Sequence, residues 1–110
     1  MTLKGVVDGS AVRISFHECD AIDNANAVEV KREALRLAGD SRNVVMDLSG
    51  IDFVDSAGVG VLVGLFKHAR ARGGRARFCG LTPGVRSTLE LIQLDRIFEL
   101  ADDRGPASRP

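Results

Sequence analysis

The chain has 110 residues, of which 45% are apolar and 27% charged. That is enough apolar material for one packed core and too much for disorder. Fifteen Lys and Arg balance fifteen Asp and Glu, and no apolar run approaches the ~18 residues of a membrane-crossing helix, so no bilayer-spanning segment is expected. With no basic, apolar leader at its start, the chain is expected to be cytoplasmic.

Leu3 to Val7 is the first predicted strand, and Asp8-Gly-Ser10 a turn. Val12, Ile14 and Phe16 alternate with Arg13, Ser15 and His17, the pattern of a half-buried strand, and the short turn makes the two strands a hairpin. Glu18 to Asn24 forms an acidic loop. His17-Glu-Cys-Asp20 holds three types of metal ligand, but no second cluster follows. Cys19 and Cys79 lack a CxxC partner and read as reduced thiols, so no metal or cofactor is expected. Asn26 and Glu29 have capping-box spacing. Ala27, Val30, Ala34 and Leu37 then mark one helical face, with Glu29–Arg32 and Glu33–Arg36 as i, i+3 pairs. Gly39 closes that helix.

Val44, Val45 and Met46 read as a strand buried on both faces. Asp47-Leu-Ser-Gly50 breaks it, and Ile51 and Phe53 stand among Asp52 and Asp55. From Ala57 the period changes: Val59, Leu62, Val63 and Phe66 fall on one helical face. Ser56 sits at the joint. Its hydroxyl can cap the helix by accepting from the amide of Gly58 or Val59. It can also accept a phosphate, which would meet the positive helix end. Gly60 and Gly64 lie inside the helix at a cost of about 1 kcal/mol each against Ala, which points to close approach by another element or a partner. Val61 and Leu65 lie off the core stripe. Either a neighbouring helix covers them or they form an exposed apolar patch beside Ser56.

Gly73-Gly74 stops this helix. Ala76 and Phe78 alternate with Arg75 and Arg77 in another half-buried strand. Thr82-Pro83 starts a third helix with Val85, Leu89 and Ile92 inward, and Ile97 to Leu100 is a last short strand. The domain is expected over residues 1–101, with a frayed polar tail over 102–110. The order β-β-α-β-α-β-α-β gives an α/β fold: a mixed sheet with an antiparallel N-terminal hairpin and about three to four helices packed on it.

Ten of the fifteen acids precede Ser56, while residues 56 to 89 carry Lys67, Arg70, Arg72, Arg75, Arg77 and Arg86 and no acid. No stacking aromatics are interleaved with these cations, so a solvated surface is preferred to a nucleic-acid site. The motifs GxxxxGK[ST], GxGxxG and GxSxG are each broken, and no enzyme activity is expected.

Asp47-Leu-Ser, followed by Phe53-Val-Asp-Ser-Ala-Gly-Val-Gly-Val-Leu62, resembles the signature of anti-sigma factor antagonists. These are small STAS domains (sulfate transporter and anti-sigma factor antagonist). The likeness runs from about Leu3 to Leu100. It implies that Ser56 is phosphorylated by an anti-sigma factor that is itself a serine kinase. The unphosphorylated form would bind that kinase and release a sigma factor, and phosphorylation would break the complex. The expected partner-binding residues are Asp23, Asn24, Asp55, Ala57, Gly58, Val61 and Leu65. Asp23 matches the family's aspartate before the first helix, with Asp20 as a rival. No direct contact with nucleic acid or membrane is expected, and the chain is expected to be a monomer or weak dimer. The alternative is a non-switching STAS subunit of a signalling scaffold or lipid-transport complex, with Ser56 only a helix cap.

Overall fold

Strands β1 (Thr2–Asp8) and β2 (Ala11–His17) form the antiparallel hairpin, in register from Asp8 opposite Ala11 to Thr2 opposite His17. The computed structural model describes residues 1–100, and the tail expected over residues 102–110 lies outside them. After the hairpin come β3 (Ala21–Ile22), α1 (Ala27–Ala38), β4 (Asn43–Asp47), β5 (Phe53–Val54), α2 (Ser56–Ala71), β6 (Ala76–Cys79), α3 (Pro83–Leu91), a 3-10 turn at Leu94–Arg96 and β7 (Glu99–Leu100).

The main sheet has the order β1-β2-β4-β6-β7, parallel at every pairing after the hairpin. The expected mixed sheet is therefore present. The two-residue strands β3 and β5 form a separate parallel ladder, Ala21 with Phe53 and Ile22 with Val54.

Alternation along the strands decides which side chains reach the core. Leu3, Val12, Ile14, Phe16, Val44, Met46, Ala76 and Phe78 are buried, while Arg13 and His17 on the opposite face are exposed. Val45 is half-buried, so β4 is covered fully on one face only, unlike the expectation of two buried faces. On the more open face Arg13 donates to Asp47 at 3.1 Å. Burial alone would raise the Asp47 carboxyl, but hydrogen bonds from the Ser49 hydroxyl and amide, together with Arg13, hold it below the usual range.

Helix α1 packs on β1, β2 and α2, and presents Ala27, Val30, Ala34 and Ala38 to the core. The expected capping box does not form. Asn26 makes no capping bond; its amide instead accepts from the Asp23 N–H at 3.0 Å and donates to the Ala21 carbonyl at 2.9 Å. The side chain is committed to the preceding loop and cannot turn toward the helix. Glu33 and Arg36 pair at 2.7 Å, whereas Glu29 and Arg32 do not.

Helix α2 lies against β3, β5, β6 and α1. Contact on several sides widens its buried arc: Gly58, Val61, Leu62, Leu65 and Ala69 are buried. Of the core stripe expected from periodicity, only Leu62 is fully buried, while Val59, Val63 and Phe66 pack on the core from its margin. Phe98 joins that margin to the sheet, with ring centroids 5.3 Å from Phe66 and 4.6 Å from Phe78. Thr82 caps α3 with Pro83 in its first turn, as expected, and its hydroxyl also donates to the Ile51 carbonyl at 2.6 Å. Val85 and Leu89 are buried, but Ile92 is 46% exposed because α3 ends at Leu91.

Candidate functional site

The joint between β5 and α2 is built from the loop that leaves β4. Leu48 and Ile51 are fully buried and pin the loop to the core. The Asp52 amide donates to the Asp20 carbonyl at 2.7 Å, and the Asp55 amide to the Ile22 carbonyl at 3.3 Å. These bonds continue the β3–β5 ladder on both sides. They deliver Asp55 in an extended conformation, φ −93° and ψ −171°, at the start of α2.

Asp55 is thus the N-cap, and Ser56 is the first helical residue. One carboxylate oxygen of Asp55 accepts from the Gly58 amide at 2.9 Å, the other from the Asn24 amide at 2.9 Å. The Gly58 amide is the main reason that this carboxyl is held below its usual range; the amides of Asn24 and Ala57 add to it. The reading of Ser56 as the cap is therefore corrected. Either residue type can cap, and the one that arrives in extended geometry does so. The Ser56 side chain is exposed, and its hydroxyl has no hydrogen-bond partner among the described residues.

Asp23 and Asn24 form the turn before α1. The Asp23 carboxylate accepts from the Ala25 amide at 3.0 Å, and its carbonyl accepts from the amides of Asn26 and Ala27. Through Asn24 this turn is tied to Asp55, so the structure brings Asp23, Asn24, Asp55 and Ser56 together. Asp20 stands one strand earlier, with its carbonyl on Asp52. Ala57 is half-buried and Gly58 buried. A Cβ on Gly58 would overlap the Ile22 carbonyl oxygen and approach Val54 Cγ1, so only glycine lets α2 pass this close to β3.

Val61 and Leu65 do not belong to this surface. They are 3% and 0% exposed. The exposed patch expected of them is therefore absent, and both side chains belong to the core. Helices α1 and α2 run side by side, tied at their starts by Asn24 and Asp55 and further along by the Lys31 side chain lying across Gly64. In chain order between these ties stand Val28 on α1, 73% exposed, and the exposed Ser56 and Gly60 on α2. A Cβ on Gly60 would meet nothing within 4 Å. No internal packing therefore accounts for a helix-weakening glycine at that point. The helix cost of Gly60, read in the sequence as close approach by another element or a partner, thus finds no element of the described residues beside it, while Val28 was not singled out by the sequence. Phe53, 55% exposed on β5, adds an apolar side chain two residues before Asp55.

Both Asp55 oxygens are engaged by amides, and the Ser56 hydroxyl stands at the positive end of a sixteen-residue helix. A shallow cleft lined by Phe66, Arg70, Gly74, Arg75, Ala76 and Ile97 lies toward the other end of α2.

Comparison with known proteins gives a consistent picture. A family model described as STAS domain matches residues 12–107. BtrV of Bordetella bronchiseptica is 33% identical over 88 residues, 79% of this chain and 76% of its own length. A Listeria monocytogenes protein named anti-sigma-B factor antagonist is 34% identical over 86 residues, covering 76% of this chain and 75% of that one. Among solved structures, the anti-sigma factor antagonist SpoIIAA in its unphosphorylated form superimposes with a TM-score of 0.71 at 19% identity, over 92% of this chain and 87% of that one. At that identity the likeness speaks for the fold alone.

Proposed function

Since this chain belongs to the STAS domain family, we propose that it acts as an anti-sigma factor antagonist whose binding is switched at Ser56. In its unphosphorylated form it binds an anti-sigma factor serine kinase and thereby frees a sigma factor. That kinase then phosphorylates Ser56 and the complex dissociates. One observation carries the reading: the Ser56 hydroxyl is exposed and unpartnered among the described residues while Asp55 performs the capping, so the serine has no structural task at the joint. The same observation removes the cap role that the scaffold alternative assigned to Ser56.

The docking face is the surface of Asn24, Val28, Ser56 and Gly60, with Asp23 and Asp55 setting the turn behind it. A phosphate on Ser56 carries a charge of about −1.5 to −2. Exposed in the free protein, it meets the helix amides and is tolerated. Covered by a partner packed against Gly60, it becomes an unpaired buried charge, which costs several kcal/mol. Titration calorimetry of wild type, Ser56→Ala and Ser56→Glu against the kinase tests the proposal. Ser56→Glu should bind at least about tenfold more weakly, a difference of ~1.4 kcal/mol, and Ser56→Ala should bind like wild type. Equal affinities for all three would refute the switch.

A further inference from the structure

Strand β1 is an outer edge of the five-stranded sheet, and among the described residues nothing pairs with its far side. It is seven residues long, without proline or bulge, and every residue is in register with β2. Long regular edges of this kind are templates for another strand. Two of its valines are exposed, Val6 at 62% and Val7 at 76%.

The order of side chains on β1 is self-complementary about Val6. Lys4, Val6 and Asp8 share the face opposite the buried Leu3. Lys4 and Asp8 are exposed, and neither makes an ion pair with another described residue. If a second β1 is laid antiparallel with the two-fold axis on Val6, Val6 faces Val6. Lys4 of each copy then faces Asp8 of the other, so two opposite-charge cross-strand pairs flank an apolar one. In the same register Val7 faces Gly5. A Cβ on Gly5 would lie 3.3 Å from Leu37 of α1, so the bare backbone there opens onto an apolar side chain that Val7 of the second copy can cover. Moving the axis to Gly5 sets Lys4 against Val6 and Thr2 against Asp8, and the charge pairing is lost. The hydrogen-bond pattern also fits. Gly9 and Ser10 form a two-residue turn, so Asp8 and Ala11 close the hairpin as a hydrogen-bonded pair. Alternation then turns the N–H and C=O groups of Leu3, Gly5 and Val7 outward, toward a second strand.

We propose that β1 is a self-association edge: two copies of this chain join through antiparallel β1–β1 pairing centred on Val6, which makes one sheet continuous across both. The contact is small and belongs to the weak, reversible class. It is independent of Ser56 and lies on a different element.

Sedimentation equilibrium of the full chain at up to about 1 mM, at physiological salt, tests this. Wild type should associate to a dimer. Lys4→Asp and Asp8→Lys each turn both charge pairs repulsive and should weaken dimerisation at least about tenfold. An equimolar mixture of the two variants, and separately the double variant Lys4→Asp/Asp8→Lys, should recover it. Lys4→Ala separates this from a purely protective lysine at a sheet edge: weaker association supports the pairing, and stronger association overturns it. Amide exchange at Leu3, Gly5 and Val7 should slow with concentration. A monomeric wild type at 1 mM, single variants that dimerise like wild type, or a mixture that stays monomeric would each overturn the proposal. Unchanged melting temperatures verify that the exposed substitutions leave the fold intact.

Discussion

The Asp55 carboxylate holds the Asn24 amide at 2.9 Å while it caps α2. A single side chain therefore fixes the start of one helix relative to the turn that begins the other, and Ser56 inherits its position from both.

Replacing Asp55 should show this double role. Asp55→Ala should lower the melting temperature by about 5 °C at neutral pH. The difference should depend on pH with a definite sign. The folded-state carboxyl titrates below its unfolded value, so its stabilisation is present above the ordinary carboxylate range and is lost as pH falls through the depressed value. Thermal melts of both proteins between about pH 2 and 7 should keep a constant gap down to about pH 4 and close it below. A gap that is unchanged at pH 2 would rule out the charged cap.

The glycines at 58 and 60 should respond in opposite directions. Gly58→Ala drives a methyl into the Ile22 carbonyl, which cannot yield without disturbing the β3–β5 ladder, so a loss of about 3 kcal/mol is expected. Gly60→Ala enters open space in a helix and should stabilise by about 0.5–1 kcal/mol. If Gly60 lies under the partner, the same variant binds more weakly despite its greater stability. Denaturant midpoints and kinase affinity, measured on both variants, separate the two effects.

Leu65 and Val28 should divide between core and surface. Leu65→Ala empties a fully buried site and should cost about 3 kcal/mol. Val28→Asp changes a side chain that is 73% exposed, and should leave the melting temperature within a degree or two while it weakens kinase binding about tenfold. A large loss of stability in Val28→Asp would remove it from the docking face.

Much of this was legible in the sequence, for physical reasons that differ by element. The hairpin and β6 announced themselves because burial on one face imposes a period of two, β4 through its continuous apolar run Val44–Met46, and the change of period after Ala57 located α2. The inward face of α2 was not readable. Apolar residues stand at positions 59, 61, 62, 63, 65 and 66, so periodicity alone could not choose among arcs, and contact with both the sheet and α1 made the choice. The ladder of Ala21–Ile22 with Phe53–Val54 is too short to carry any period. Without that ladder, nothing told Asp55 from Ser56 as the cap, since both are good caps and they are adjacent. The capping box at Asn26 failed for a related reason: its side chain had nearer partners in the loop behind it.

That short ladder also governs where the chain can change length. Around the exposed Glu18, which turns the backbone at φ 56°, an added residue can loop outward before β3 begins. From Ala21 to Ala27 there is no such slack. Ala21 and Ile22 are in register with β5, and Asp23 through Ala27 are each engaged in a hydrogen bond of the turn. An insertion there would carry the Asn24 amide away from Asp55 and rotate the start of α1 relative to Ser56. Homologous chains aligned on this framework should thus differ in length before β3 and agree in length after it.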